Sequence, residues 1–547
     1  MAWQEWTPAT LTLARKQNKL LFVSIGYFSC HWCHVMQKES YRNPEIAKLL
    51  NAAFIPVKID REINTALDSE MQDFSEATRG QAGWPLNVFI TPEGHPLFAS
   101  LYSPPQEFMQ LISRLNERWQ QDSAGLKQLA QPPPVDGPLK SVSLTPHRAV
   151  EKFVEEALDR SDMLQGGFGD KSKFPHSPQL AALLALQSGK KNTQVKEFLT
   201  LTLAQMAKLG LRDHVGGGFF RYTTDPDWRT PHFEKMLYDN AQLAKIYFQA
   251  ARVFARPEYQ HIAFNTVDFM LAEMQDKASG AFYSSLSAVD DKNREGGYYL
   301  WDASELRQIL NRDELALINK LWGMTQPPAT ELGYLPLQLA DLGTGEQTKL
   351  AALYNKLKTR RDARNLPKDT KLLTGLNGLA LTAFSEAAQL NPRYRVSADR
   401  LRDFLNKHLS GETLSKGESA GRPLGPGDLE DYAFVAAGLA SYAKLSGKAK
   451  DRRAAQNLIL NAWKKFYVSG KGWKLDQHSL LASQKVLAAV SDGPTPSAAA
   501  LLIGLSKEFG PSFAKLASEA LNLGTPQAEH NPFWHATLIK AMGQNSR

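Results

Sequence analysis

Cysteine is nearly absent: the 547 residues contain two, Cys30 and Cys33. That excludes a disulfide scaffold, and because both lie in one C-x-x-C it points to a reducing compartment in which the pair is kept for its chemistry. Long apolar runs are missing too. No stretch reaches the about 18 consecutive apolar residues that span a bilayer, and residues 1–19 read as polar and helical, without the apolar centre of an export signal. Nor is there a block of like charge. The 64 basic and 56 acidic residues are scattered, and their net +8 describes a mildly basic, solvated surface. These absences predict a cytoplasmic protein with no membrane and no nucleic-acid partner.

The composition that is present, 43% apolar and 22% charged, is that of an ordinary globular chain, and the length calls for two or three domains. Residues 3–20 suggest a helix. A short β-rich run at 20–25 reads as a buried strand, the C-x-x-C follows at once, and a helical stretch continues to about residue 50. Strands are expected at 54–59 and 86–90. A turn at Pro92-Glu-Gly94 leads to a further strand at 96–101, and an amphipathic helix covers 105–121. This α/β pattern makes residues 1–130 one domain. Residues 131–144, rich in Pro, read as a stiff linker. From 145 to 547 the pattern is all-α, with helices at 146–160, 193–209, 231–254, 258–275, 375–390, 428–446, 448–467 and 495–508. Glycine-aromatic turns ending at Phe168, Phe219, Phe282 and Trp473 fall between some of them. The spacing of the first three suits one helical hairpin per unit, about six in all.

Cys30-His-Trp-Cys33 sits between a buried strand and a helix start. Unpaired N–H groups at a helix N-terminus stabilise a thiolate, so Cys30 is the expected attacking thiol and Cys33 the resolving one. His31 and His34 supply positive charge and protons. Trp84-Pro85 lies directly before the strand at 86–90. In thioredoxin-like folds a cis-proline at this place lies against the sulfurs, and the neighbouring backbone docks an incoming peptide. Three other readings of the same residues stay open here. Cys30 to His34 spells C-x-x-C-H, the haem-attachment pattern, which calls for export. A zinc site would need further ligands than two cysteines and a histidine. The pair could also be inert and buried. No metal and no cofactor is expected.

The run Phe-Val-Ser-Ile-Gly-Tyr-Phe-Ser-Cys-His-Trp-Cys-His-Val-Met over 22–36, with Glu39 and Ser40, resembles the signature of the spermatogenesis-associated thioredoxin-domain family. Segments 80–89, 173–175, 213–222, 231–243, 297–301, 373–379, 428–434 and 492–497 extend the resemblance over nearly the whole chain. It implies a thioredoxin-like fold followed by an (α/α)6 toroid similar to N-acylglucosamine 2-epimerases and six-hairpin glycosidases. The sequence departs from the family pattern at Ile63 to Ala66, at Leu376 and at Ala288. Ser24 stands where many thioredoxins carry a buried Asp that helps deprotonate the second cysteine.

Within the helical part, Arg221, Trp228, His232, Glu234, Lys235, Tyr238, Asp239 and Asn240 form a polar cluster. Thr230 as N-cap and Pro231 as first helical residue would place His232, Lys235 and Asp239 on one helix face. Such a set suits sugar hydroxyls and proton transfer, with Trp228 or Trp301 as a stacking platform. Asp428, Glu430 and Asp431 would open a later helix and offer the second carboxylate of an acid/base pair. The expected activity is thiol–disulfide exchange with a thiol or disulfide partner. The toroid is expected to be a sugar epimerase, isomerase or glycosidase taking a sugar-like small molecule, or a non-catalytic binding platform.

Overall fold

The computed structural model describes residues 1–130, 145–189, 192–328, 330–482, 486–510 and 513–543. The linker expected at 131–144 lies outside these described residues. The chain divides into two units. One comprises Met1–Leu139 together with Lys474–Leu487, and the other Lys140–Trp473 with Ala488–Arg547.

The first unit is built on a sheet of β1 (Leu21–Gly26), β2 (Ile55–Asp60), β3 (Leu86–Ile90) and β4 (Pro96–Ser100) in the order β2-β1-β3-β4. β1 runs parallel to β2 and antiparallel to β3. Every residue of β1 and β3 is buried, because helices cover both faces. On one side, α1 (Pro8–Gln17) and α4 (Thr65–Arg79) pack Leu11, Leu67 and Met71 on Leu21, Val23 and Ile25. On the other, α2 (His31–Met36), α3 (Pro44–Ala53) and α5 (Pro105–Gln121) pack Met36, Leu50 and Phe108 on Phe22 and Phe89. Alternation along β1 sends Phe22, Ser24 and Gly26 to the α2 face. The expected helix at 3–20 begins only at Pro8, where Thr7 caps it, and Gln4 pairs with Val57 instead. The helix after the C-x-x-C is also not continuous. It passes through a π-helical turn at Gln37–Tyr41 and restarts at Pro44, with Asn43 as N-cap accepting from the Glu45 amide (2.9 Å). A short helix α6 (Ser123–Leu129) follows α5. Leu480 and Leu481, which the sequence assigns to the helical part, complete this unit: Leu481 is buried against β1–β3, and the Ala482 amide donates to the Gly94 carbonyl (3.1 Å).

The second unit is a ring of six helical hairpins. The outer and inner helices pair as α7 (Pro146–Asp159) with α8 (Ser177–Gln187) and α9 (Thr193–Lys208) with α10 (Leu237–Phe254). An insertion of α12 (Ala303–Ile309), α13 (Arg312–Trp322) and α14 (Thr344–Arg361) separates α11 (Pro257–Phe269) from its partner α15 (Thr374–Leu390). The remaining pairs are α16 (Arg395–Lys407) with α17 (Leu429–Ser446), α18 (Ala449–Phe466) with α19 (Ala498–Glu508), and α20 (Ala514–His530) with α21 (Ala536–Gly543). Each inner helix touches the next, and α21 returns to α8, so the ring closes as an (α/α)6 toroid.

Five of the connections turn alike. Ser161 bridges to Phe168, Arg212 to Phe219, Gln275 to Phe282, Leu409 to Leu414 and Tyr467 to Trp473. The inner helix that follows can hold this turn. Asn240, in the first turn of α10, accepts from the Phe219 amide (2.8 Å) and donates to the Phe219 carbonyl (3.0 Å). Asn377 in α15 repeats both bonds with Phe282 (2.8 and 3.0 Å). In α17 the Tyr432 hydroxyl takes the same place, accepting from the Leu414 amide (2.9 Å).

Candidate functional site

The thiols stand at the end of β1. Cys30 is the N-cap of α2, with extended backbone, and its Sγ accepts from the Cys33 amide at 3.2 Å. A sulfur in this position meets the helix N-terminus, which favours its thiolate form. Cys30 is buried and Cys33 half-buried. Cys33 Sγ rests on Gly26: a Cβ there would fall 2.8 Å from the sulfur, so only glycine leaves room. His31 stands edge-on to Trp32, which is 46% exposed and packs on Tyr102 at 5.0 Å. His34 Nε2 donates to the Phe28 carbonyl (2.7 Å).

The Trp84–Pro85 peptide is cis. Its loop is held from α4: Gln72 accepts from the Gly83 amide (2.7 Å) and donates to its carbonyl (3.2 Å), while Trp84 Nε1 donates to Asp68 (2.8 Å). The Arg61 guanidinium lies over the Trp84 ring at 4.1 Å and over Tyr27 at 4.8 Å.

Beneath the cysteines lies a polar row of which the sequence singles out only Ser24. Strand register sets Lys58, Ser24 and Asn87 side by side across β2, β1 and β3. Tyr41, from the π-helical turn, covers them. Lys58 Nζ donates to Ser24 Oγ (3.1 Å), Ser24 and Tyr41 share a hydrogen bond of 2.9 Å, and the Tyr41 hydroxyl donates to Asn87 Oδ1 (2.5 Å). Burial pushes the Tyr41 phenol well above its ordinary range.

The toroid's polar cluster is arranged differently from the expectation. No helix begins at Pro231. Pro231–His232 pairs as a short strand with Tyr222–Thr223, Lys235–Met236 pairs with Ser285–Leu286, and α10 opens only at Leu237. These strand pairings hold residues 231–236 out of the helix, so His232, Lys235 and Asp239 share no helix face. Lys235 is buried in an ion cluster, donating to Asp213 (2.7 Å) and to the Gly217 carbonyl (2.8 Å) over the Phe269 ring. Arg361 reaches the other Asp213 oxygen (2.9 Å). Burial works against the Asp213 charge, but Arg361 and Lys235 outweigh it and hold the carboxyl far below the usual range. Burial brings Lys235 down to about 8 despite Asp213. Trp228 and Trp301 are fully buried. Trp228 Nε1 donates to the Gln165 carbonyl (3.0 Å), and Trp301 lies under Arg364 at 4.3 Å. Asn240 is the turn clamp described above.

Other members meet in pairs. Arg221 pairs with Glu234 (3.0 Å). His232 stacks on Tyr222 at 5.1 Å and stands 3.5 Å from Glu295. Tyr238 and Asp239, in the first turn of α10, are buried. Asp428 is the N-cap of α17 and forms a reciprocal cap with Asp431, while Glu430 lies between them. Lys416, also missed from sequence, donates to Asp428 (2.7 Å) and pairs with Asp431 (2.9 Å). Two buried carboxyls thus share one ammonium. Burial pushes Asp431 up to about 7 against the pull of Lys416.

A strand–C-x-x-C–helix with a cis-proline loop in one unit, and a closed ring of six hairpins in the other, define a thioredoxin-like domain joined to an (α/α)6 toroid. Residues 1–132 match the Thioredox_DsbH family, described as a protein of unknown function, DUF255. The chain is 31% identical over 567 aligned positions to spermatogenesis-associated protein 20 of Homo sapiens, covering 91% of this chain and 72% of that protein. It is 27% identical over 569 positions to an uncharacterized protein of Caenorhabditis elegans, covering 91% of this chain and 76% of that one. The chain belongs to the spermatogenesis-associated protein 20 family. Among solved structures, the cellobiose 2-epimerase of Spirochaeta thermophila is similar over 73% of this chain and 96% of its own, at 13% identity and a TM-score of 0.49. Among the described residues no helix is long and apolar enough to cross a membrane.

Proposed function

We propose that the N-terminal unit is a cytoplasmic thiol–disulfide oxidoreductase exchanging with a thiol or disulfide partner. The observation that carries this reading is Cys30 at the N-cap of α2, its sulfur accepting from the Cys33 amide at 3.2 Å. The Cys30 thiolate attacks one sulfur of a partner disulfide and releases the other as a thiolate, which takes up a proton. Cys33 then gives up its proton, attacks Cys30 and releases the partner's second sulfur. Two electrons pass to the partner, and Cys30–Cys33 becomes the disulfide; the reverse sequence oxidises a partner dithiol. His31, half-buried beside Cys30, moves protons, while Trp84 and Pro85 dock the partner's backbone. A gel-shift thiol titration against glutathione should reveal a reversible two-electron couple, absent in Cys30→Ser. A wild-type pair that neither oxidises nor exchanges would overturn the reading.

A second reading concerns the toroid: acid/base chemistry on a sugar-like molecule, as an epimerase, isomerase or glycosidase. The pairing of Asp428 and Asp431 around Lys416, with Asp431 raised to about 7, favours it, because such a carboxyl both holds and gives up a proton near neutrality. Arg221, His232, Glu234, Tyr238, Asp239 and Glu430 are the accompanying binding groups. Thermal shifts over a panel of sugars, lost in His232→Ala, test this. No shift with any sugar leaves the toroid as a binding platform that brings partners to the thiols.

A further inference from the structure

The row of Lys58, Ser24 and Asn87 is an unusual thing to find under a redox pair. Ser24 and Gly26 lie on the same face of β1, two residues apart, and Cys33 Sγ touches Gly26. The ammonium bound to Ser24 therefore stands about 7–10 Å from the Cys33 sulfur, one pleat repeat plus a bond length. Lys58 itself is an exposed residue of β2, yet its Nζ turns inward. It donates to Ser24 (3.1 Å) and lies over the rings of Tyr41 (5.0 Å) and Trp3 (5.4 Å). Among the described residues no carboxylate pairs with it. Every other polar member of the row is neutral: Ser24 and Asn87 carry no charge, and burial keeps the Tyr41 phenol protonated. Burial lowers the Lys58 ammonium, but the Cys33 charge, then that of Cys30 and then that of Asp60, act to keep its proton. Lys58 and the sulfurs thus attract one another, with Asp60 a further anion acting on the ammonium.

We propose that Lys58 is the positioning charge of this redox site, favouring the thiolate of the Cys30–Cys33 pair and so making its disulfide a net acceptor of electrons from partner dithiols. This inference rests on the thiol-exchange reading above and assigns its direction. In the favoured step the Cys30–Cys33 disulfide breaks, a partner dithiol becomes a disulfide, and two electrons arrive on Cys30 and Cys33. One sulfur is retained as a thiolate opposite Lys58, the other takes up one of the partner's two protons, and the second proton passes to solvent. The hydrogen bonds run one way, Lys58 to Ser24 to Tyr41 to Asn87, so the row holds the ammonium in place without offering a base. A carboxylate at Ser24 would cancel the charge and accept a proton from Cys33, the opposite arrangement.

The sign follows from which redox state carries the anion. A cation near a thiolate stabilises the reduced form and leaves the disulfide unaffected, so removing it makes the couple more reducing. At about 7–10 Å and an effective dielectric of about 20, one unit charge alters an ionisation constant by about tenfold or more. Among the described residues, other charged or titratable groups near the pair include Asp60 on β2, His31 and His34 on α2, Tyr41 on the π-helical turn, Asp68 behind the Trp84 loop, and Arg61 and Glu62 after β2. All of them are retained in the variants below.

The test uses the full chain at neutral to mildly alkaline pH. Wild type, Lys58→Met, Lys58→Arg and Ser24→Asp are equilibrated in glutathione buffers, and the fraction oxidised is read by alkylation. The Cys30 thiol is titrated by its rate of alkylation against pH. Lys58→Met should be more oxidised at any given buffer ratio, its equilibrium constant shifted by about tenfold, or about 30 mV, and its Cys30 should titrate higher. Ser24→Asp should move both readouts the same way, and Lys58→Arg should restore wild-type values. If Lys58→Met fails to fold, Ser24→Asp carries the same test without removing the lysine. A wild-type couple that is reversible, with Lys58→Met and Ser24→Asp both within about twofold of it, would overturn the role of Lys58 and leave the exchange reading intact. A wild type with no couple would overturn the exchange reading itself.

Discussion

Asn240 separates a structural role from a ligand-binding one. Its side chain is fully buried. It accepts from the Phe219 amide (2.8 Å) and donates to the carbonyls of Phe219 (3.0 Å) and Met236 (2.9 Å). In Asn240→Ala the Met236 carbonyl keeps its place in the first turn of α10, but the Phe219 amide and carbonyl both lose their clamp in a site closed to water. Each buried polar group left unsatisfied costs about 1–3 kcal/mol, so the toroid should lose about 2–6 kcal/mol. Asn240→Asp keeps the acceptor for the Phe219 amide but turns a carboxylate toward the Phe219 carbonyl, so it should be no milder. Asn377→Ala, which breaks the same clamp on Phe282, should cost a similar amount. Urea unfolding followed by tryptophan fluorescence of the full chain measures all three. Unfolding of Asn240→Ala within about 0.5 kcal/mol of wild type, the range of an ordinary surface substitution, would refute the clamp.

Two further outcomes follow from the packing. His176 sits among the rings of Phe168 (5.6 Å), Phe533 (5.5 Å) and Trp534 (5.5 Å), and burial, helped by Arg160, lowers its imidazole to about 4. The unfolded chain therefore binds the extra proton between about pH 6.5 and 4, so this contribution is whole above pH 6.5 and is lost as the pH falls toward 4. His176→Phe should flatten the stability profile in that window by about 3 kcal/mol, measured by urea unfolding at a series of pH values. Leu481 is buried in the core of the thioredoxin-like unit, so Leu481→Ala should destabilise that unit by about 2–5 kcal/mol. Hydrogen exchange at β1 and β3 should report the loss, and unchanged protection there would refute it.

Much of the first unit is legible because its signals are local. The strand at 86–90 and the helix at 105–121 match their expected bounds, and β1 differs from its expected range by one residue. Short apolar runs beside a C-x-x-C and a proline-bearing turn need no distant partner to be recognised. The entrance to α10 was not legible, because Thr230 and Pro231 have the chemistry of a helix start while two-residue strand pairings with 222–223 and 285–286 decide the backbone. Pairs that short leave no periodicity in the sequence. The same holds for Lys58, Ser24 and Asn87, which become neighbours only through register, and for Leu481, which joins a core hundreds of residues upstream.

The polar cluster at 221–240 shows why residue type alone could not sort reactive groups from structural ones. Lys235 is consumed by Asp213, Asn240 by the Phe219 turn, and Trp228 by the Gln165 carbonyl, each with its hydrogen-bonding capacity directed at a buried protein atom. A group committed in this way cannot also meet a ligand without breaking the contact that places it. Asp428 and Asp431 differ in kind. They divide one ammonium between two carboxyls, so their site keeps a charge and a proton in balance, and a neutral substitution at either one resets the other. The row beneath Cys33 is built differently, with one ammonium that among the described residues makes no ion pair with a carboxylate and feels Asp60 only through its charge. On the reading proposed above, the sulfurs in their reduced state add their negative charge to that of Asp60. On that reading the Lys58 ammonium is the charge coupled to electron transfer, and it lies in the unit that carries the C-x-x-C.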